Sequence, residues 1–349
     1  MIKSLTSLRG IFILFIFFHH CLDLYAGGGT MAVTFFFVLG GFGLTLGYKE
    51  RVLKPDFSFR EYITKRCVKF YPLHWFALLA AIPLVLQTFN WTQIPIFFVN
   101  ASLLQTWIPL THVYFSYNWV SWYLADTMFF AVVFPFLLRW IVNASSIGRI
   151  LIASAFAMTY SVVAIVIPAE MHHAILYVSP YMRLTDFVFG IYLALIYMEF
   201  KKKPIGFLSN NTLAQFIVFS FITLLVVESC VLPEDIVLFA PVYWPFVALL
   251  ILISSLSETV FGGGQKLLHN NLLLHLGELS FTIFLTHQLI CRYTIPLFNR
   301  VLHLHNDVIY VIFTLTLTII VSYLMDKFIL TPITKWLTKR IQPSMTARS

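Results

Sequence analysis

The chain has 349 residues, 59% of them hydrophobic and only 11% charged, with a net charge of +8 and a mean hydropathy of +0.85. A soluble domain is about 45–50% apolar and roughly 25% charged, so 23 Lys+Arg and 15 Asp+Glu are too few to cover a water-soluble surface of this size. The 36 Phe, 16 Tyr and 8 Trp exclude a disordered chain, and no charged heptads point to a coiled coil.

A helix needs about 20 mostly apolar residues to cross a bilayer. Read in chain order, spans are expected near 9–26, 31–47, 73–90, 119–138 and 150–167, then near 181–199, 212–230, 236–256, 272–295 and 308–330. The expected fold is all-α, a polytopic integral membrane protein of about ten transmembrane helices. The first run, with Lys3 and Arg9 ahead of Ile11 to Phe18, has the flanks of a signal peptide. No small-x-small site ends it and a second span follows at once, so it is kept as a span. Residues 1–334 read as one membrane-embedded domain, and 335–349 as a short basic cytoplasmic tail. Cys21, Cys67, Cys230 and Cys291 lack CxxC or CxxH spacing, so neither a disulfide framework nor a metal site is expected.

Lysine and arginine orient the spans. With the N-terminus inside, twenty of the 23 fall on inner segments, and only Arg183, Arg292 and Arg300 on outer ones. Both termini are therefore expected in the cytoplasm. The basic balance is then a topology signal, with membrane lipids as its partners and no call for nucleic acid. The longest inner loop, 48–72, contains KRCVKFYP and is expected to include an interfacial helix. The longest outer loop, 91–118, carries Trp91, Trp107, Tyr114 and Tyr117, with Trp119 and Trp122 just beyond. These rings read either as an interfacial belt or as stacking platforms for a sugar.

Ionisable groups inside spans are expensive and usually functional or paired. Arg9 and His20 are eleven residues apart, or about 1100° of helix, which leaves them within about 20° on one face. The rise of about 16 Å carries His20 from the inner interface to near the bilayer midplane. His19 falls about 80° to one side and Asp23 about 40°. Arg9, His20 and Asp23 thus form one polar stripe, which reads either as a site or as a tie between helices.

At these residues a family resemblance emerges. SLRGIFILFIFFHH followed by TFFFVLGGFGL resembles the opening of the acyltransferase 3 family of integral-membrane O-acyltransferases. There an Arg or Lys, ten residues and a His mark the first helix, which here correspond to Arg9 and His20. FFFVLGGF is similar to the family's FFVLSGF, with Gly40 where Ser is usual. KRCVKFYPLHW resembles its RxxR segment, with Arg66 matching the first Arg and Lys69 replacing the second. WYLADTMFFAVVFP resembles WSLSxExxFYLLFP, with Asp126 the nearby carboxylate. YMRLTDFVFGIYLAL and LGELSFTIFLTHQLI are similar to two later segments, placing Arg183, Asp186 and Gly190, then Gly277, Ser280 and His287. FILTP carries Leu330 where the family often has a glutamate.

The resemblance implies transfer of an acyl group, most often acetyl, to a hydroxyl of a surface polysaccharide or related glycan, in the inner membrane of a bacterium. Acetyl-CoA is then a substrate, and no bound cofactor is implied. Such chemistry needs a base for the alcohol proton or a nucleophile to carry the acyl group, and histidine can be either. His20 is the expected catalytic group, with Arg9 and Asp23 beside it. Arg66 and Lys69, three apart on one face, are expected either to grip donor phosphates or to anchor the inner interface. Arg183 and Asp186 have ion-pair spacing. Asp126 and His287 could line the site. The donor is expected on the cytoplasmic side and the acceptor outside. The competing reading is an exporter of a lipid-linked sugar or polar solute, against which no pair of matching broken helices is present.

Overall fold

The computed structural model describes residues 2–22, 28–88, 90–202, 211–231, 239–261, 268–303 and 306–346, and every regular element among them is helical. The long helices are α1 (Lys3–Leu22), α2 (Gly28–Val52), α3 (Phe59–Leu86), α6 (Ser121–Asn143), α7 (Ser146–Val166), α8 (Pro180–Lys202), α9 (Asn211–Val231), α10 (Trp244–Phe261), α11 (Asn271–Pro296) and α12 (Asp307–Met325). Short helices α4 (Gln93–Ala101) and α5 (Thr111–Tyr114) fill the segment before α6, and α13 (Thr331–Thr346) follows α12 after a π-helical turn.

Seven helices among the described residues are long and apolar enough to cross a membrane, and two shorter apolar stretches, Phe216–Val227 and Trp244–Val260, lie in α9 and α10. α11 is 26 residues long. His275, Glu278, His287 and Gln288 lower its hydropathy, and it is not among the seven. α7 shows why the surrounding medium is lipid. Ile147, Ile150, Leu151, Met158, Val162, Ile165 and Val166 are all exposed on it. Such a face is untenable in water and ordinary against acyl chains. The protein is a polytopic membrane protein.

The third span differs from expectation. Instead of starting near 73 after an inner loop with its own interfacial helix, α3 begins at Phe59, and KRCVKFYP is its first half. Ser58 caps its start by accepting from Glu61 N–H at 3.2 Å, which satisfies one of the orphan donors of the first turn. Pro72 lies inside the helix without ending it. The loop expected on the inner side shrinks to residues 53–58.

The chain forms two compact units. One comprises Met1–His19, Asp23–Phe57 and Val133–Glu278. Its closest packing joins α2 to α8 through reciprocal glycines: a Cβ on Gly190 would stand 2.0 Å from the Val38 carbonyl oxygen, and one on Gly41 would stand 2.0 Å from that of Phe187. Gly277 does the same for α11 against α1, where a Cβ would meet the Thr6 oxygen at 1.8 Å. Small residues let backbones touch where lipid supplies no hydrophobic drive for association. Two matched positions of the family segments, Gly190 and Gly277, are thus helix-crossing points.

Helix ends in this unit are closed by charged side chains. Glu258 accepts from the N–H groups of Lys3 and Ser4, at 2.8 and 2.7 Å, at the positive end of α1. Arg139 donates to the Val52 carbonyl at 3.0 Å, and Arg149 to those of Ile141 and Val142 at 3.2 and 2.9 Å. Two of the residues counted as inner positive charges therefore also satisfy orphan carbonyls.

The second unit comprises His20–Leu22, Ser58–Val132 and Leu279–Ser349. Here α3 holds the end of α4 with three ring donors in a row. Tyr71 reaches the Ser102 carbonyl at 3.2 Å, His74 that of Asn100 at 2.8 Å, and Trp75 that of Ala101 at 3.1 Å. α11 and α12 are joined by hydroxyls, Thr286 to Ser322 at 2.9 Å and Thr294 to Thr314 at 3.4 Å.

Candidate active site

α1 carries adjacent histidines that face different neighbours. His19 is half-buried against Gly29, where a Cβ would come within 2.9 Å of its ring. His20 is exposed, and its Nδ1 lies 3.2 Å from Nε2 of His287 on α11. The two rings are 5.1 Å apart between centroids. His287 is fully buried, and its Nδ1 sits 3.0 Å from the Ile283 carbonyl one turn earlier. An exposed imidazole is thereby backed by a buried one. Cys21, next to His20, and Cys291, one turn beyond His287, are both free cysteines.

The segment before α6 reinforces this stretch of α11. Asn118 donates its side-chain amide to the Leu285 carbonyl at 2.9 Å. Arg292 donates to the Tyr117 carbonyl at 2.5 Å and lies 4.6 Å from the Trp119 ring centre. Tyr117 has φ of 53°, a left-handed conformation that a non-glycine residue holds only when its surroundings impose it. Asn118 was not singled out in the sequence, and Arg292 entered there only as a charge expected on the outer side. Nothing local distinguishes them, because their partners lie far away along the chain.

The aromatic residues of 91–122 divide. Tyr114, Tyr117 and Trp122 are buried packing residues, whereas Trp91, Trp107 and Trp119 are exposed. Burial raises the pKa of the Tyr117 phenol, which donates to the Gln93 carbonyl at 2.8 Å.

The remaining expected residues are placed as follows. Arg9 is half-buried on α1, eleven residues before His20. Asp23 lies outside the described residues. Arg66 is half-buried with its guanidinium 5.4 Å from the Tyr62 ring centre, and Lys69 is exposed three residues on. Lys65 pairs with Glu61. Asp126 is fully buried in α6.

Arg183 and Asp186 form an ion pair at 3.0 Å with both side chains fully buried. Arg183 also donates to Thr34 at 3.0 Å, and Trp244 donates to Asp186 at 2.6 Å. The Phe37 ring lies 5.1 Å from the guanidinium. The pair ties α8 to α2 and α10, and its partners Thr34 and Trp244 gave no local signal. Among the described residues, no cluster of His, Cys, Asp and Glu has the form of a metal site.

The family model of an acyltransferase domain, Acyl_transf_3, matches residues 2–327. The chain belongs to the acyltransferase 3 family. The match covers nearly every helix described above, so the protein is an acyltransferase embedded in a membrane, and the family favours the enzyme over the exporter. No curated protein and no solved structure shows a significant match to the chain.

Proposed function

We propose that the protein moves an acyl group, most often acetyl, from a cytoplasmic thioester such as acetyl-CoA to a hydroxyl of a surface polysaccharide or related glycan. The carrying observation is the exposed imidazole of His20, held from behind by buried His287. His20 takes the proton of the acceptor hydroxyl as its oxygen attacks the thioester carbonyl. The C–O bond forms, the C–S bond breaks, and the proton ends on the leaving thiolate. A positioned base contributes about 10²–10⁴-fold. Binding of both substrates and stabilisation of the oxyanion supply the rest. Arg9 shares the helix and, by spacing, the face of His20, and suits the stabilisation of developing negative charge.

Arg66 and Lys69 bind the donor phosphates in this reading, with guanidinium suited to bidentate contact. The charge distribution supports ten spans with both termini cytoplasmic, in the inner membrane of a bacterium. Exposed Trp91, Trp107 and Trp119 suit the acceptor side.

The test compares NMR spectra of surface glycans from cells with the gene, without it, and with His20→Ala or His19→Ala at matched membrane levels. The expected result is a base-labile ester signal that vanishes on deletion and in His20→Ala but persists in His19→Ala. A signal that survives deletion overturns the glycan acceptor. Loss in His19→Ala with survival in His20→Ala overturns the site.

A further inference from the structure

The end of the last span has the marks of a membrane boundary. α12 has 19 residues, or about 28 Å of helix, close to the thickness of a hydrocarbon core. Just beyond it, Lys327 donates to the Tyr323 hydroxyl at 3.1 Å, and its ammonium lies 5.3 and 5.4 Å from the ring centres of Tyr323 and Phe328. Both rings are exposed. A lysine lying along exposed aromatic rings is the arrangement side chains take at the edge of a bilayer.

α13 follows directly, from Thr331, and has two unlike faces. Ile333, Thr334, Leu337 and Thr338 are half-buried at helical spacing. The two threonine hydroxyls fold back on the helix, to the Leu330 carbonyl at 2.6 Å and the Thr334 carbonyl at 2.7 Å. This helix packs against α3. Pro332, Lys335, Trp336, Lys339 and Arg340, at the same spacing on the other side, are exposed. The Arg340 guanidinium lies 4.2 Å from the Trp336 ring centre, a cation–π contact. Residues 331–349 contain neither Asp nor Glu. Among the described residues no carboxylate pairs with Lys335, Lys339 or Arg340.

We infer that this face of α13 binds the phosphate headgroups of anionic phospholipids, with Lys335, Lys339 and Arg340 contacting phosphate and Trp336 seated among the headgroups. The charge complementarity is direct, since three cations without a carboxylate partner face outward on a helix tethered to a membrane span. The exposed indole decides between a lipid and a soluble anion. A soluble phosphate satisfies the cations and leaves Trp336 in water, whereas the headgroup layer suits both the ring and the charges. The inference goes beyond acyl transfer and is independent of the roles given to Arg66 and Lys69. A basic residue near an anionic membrane surface strengthens binding about fivefold, so three together contribute roughly 100-fold.

The full-length protein in a neutral detergent is titrated with phosphatidylglycerol or phosphatidylcholine, and bound lipid is counted by native mass spectrometry at low and high salt. The wild type is compared with the triple variant Lys335→Gln, Lys339→Gln and Arg340→Gln, and with the double variant Lys335→Arg and Lys339→Arg. Melting without added lipid checks that each is folded. The wild type is expected to prefer phosphatidylglycerol, and high salt to weaken that preference. The triple variant should lose its tightest phosphatidylglycerol by roughly 100-fold in affinity, and the arginine variant should keep it. Equal binding of the two lipids by the wild type, or an unchanged phosphatidylglycerol affinity in the triple variant, overturns the inference. Loss of binding in the arginine variant overturns the charge argument. Displacement of the bound lipid by excess acetyl-CoA gives the face to the soluble donor and overturns the lipid occupant. The headgroup, salt and displacement comparisons use the wild type alone, so they decide the question even where the triple variant does not fold.

Discussion

The α2–α8 crossing predicts a sharp difference between neighbouring glycines. A Cβ on Gly190 would stand 2.0 Å from the Val38 carbonyl oxygen and 3.0 Å from the Phe42 nitrogen, both backbone atoms with nowhere to turn. On Gly40, in contrast, the nearest atoms are ring carbons of Phe187 at 3.9 and 4.0 Å, ordinary contact distance. Gly190→Ala must push the helices apart by roughly 1 Å or more to restore a normal contact. A gap of about 0.5–1 Å forfeits a quarter to a half of each affected dispersion contact. Because α2 and α8 meet backbone to backbone, the cost belongs at the upper end of the overpacking range, about 3 kcal/mol. Gly40→Ser, which restores the family's usual residue, should cost under about 1 kcal/mol, with its hydroxyl able to bond the preceding turn. The assay is thermal unfolding of detergent-solubilised protein followed by fluorescence-detected size exclusion. Gly190→Ala should melt roughly 4 °C below wild type, by the scaling of midpoint shifts with free energy, and Gly40→Ser within about a degree. Equal melting of Gly190→Ala and wild type, or equal damage from Gly40→Ser, would refute the close-approach argument.

Removing one partner of the buried Arg183–Asp186 pair should destabilise by about 3–5 kcal/mol, because the other charge is left buried. Asp186→Leu alone should therefore melt well below Arg183→Met combined with Asp186→Leu; the reverse order would make the pair a simple stabiliser. Replacing Arg66 and Lys69 with Gln should raise the donor KM about 10- to 150-fold per lost charge-assisted bond and barely alter acceptor dependence, whereas Lys69→Arg should bind donor at least as well. An unchanged donor KM in membranes with matched protein levels leaves both as anchors of the inner interface. For orientation, with the native cysteines replaced, Asp56→Cys should be shielded from an impermeant thiol reagent in intact cells and Glu170→Cys labelled. The opposite pattern overturns the donor-inside arrangement.

Apolar length, charge bias and helical spacing are local quantities, and a single chain displays them without folding. That is why each of the ten apolar runs overlaps a helix among the described residues, and why Arg9 and His20 could be assigned to one face before any packing was known. The start of α3 was less legible, because a basic, Pro-containing stretch resembles an interfacial loop until the Ser58 cap is seen to carry the helix through it. The family segments were visible as letters, but not the reasons for them. Gly190 and Gly277 matter because another backbone passes within contact, and that depends on which helices cross. The pairing of His20 with His287, 267 positions apart, was equally inaccessible. Spacing along one helix says which way a side chain points, and only the packing of α1 against α11 decides what it meets.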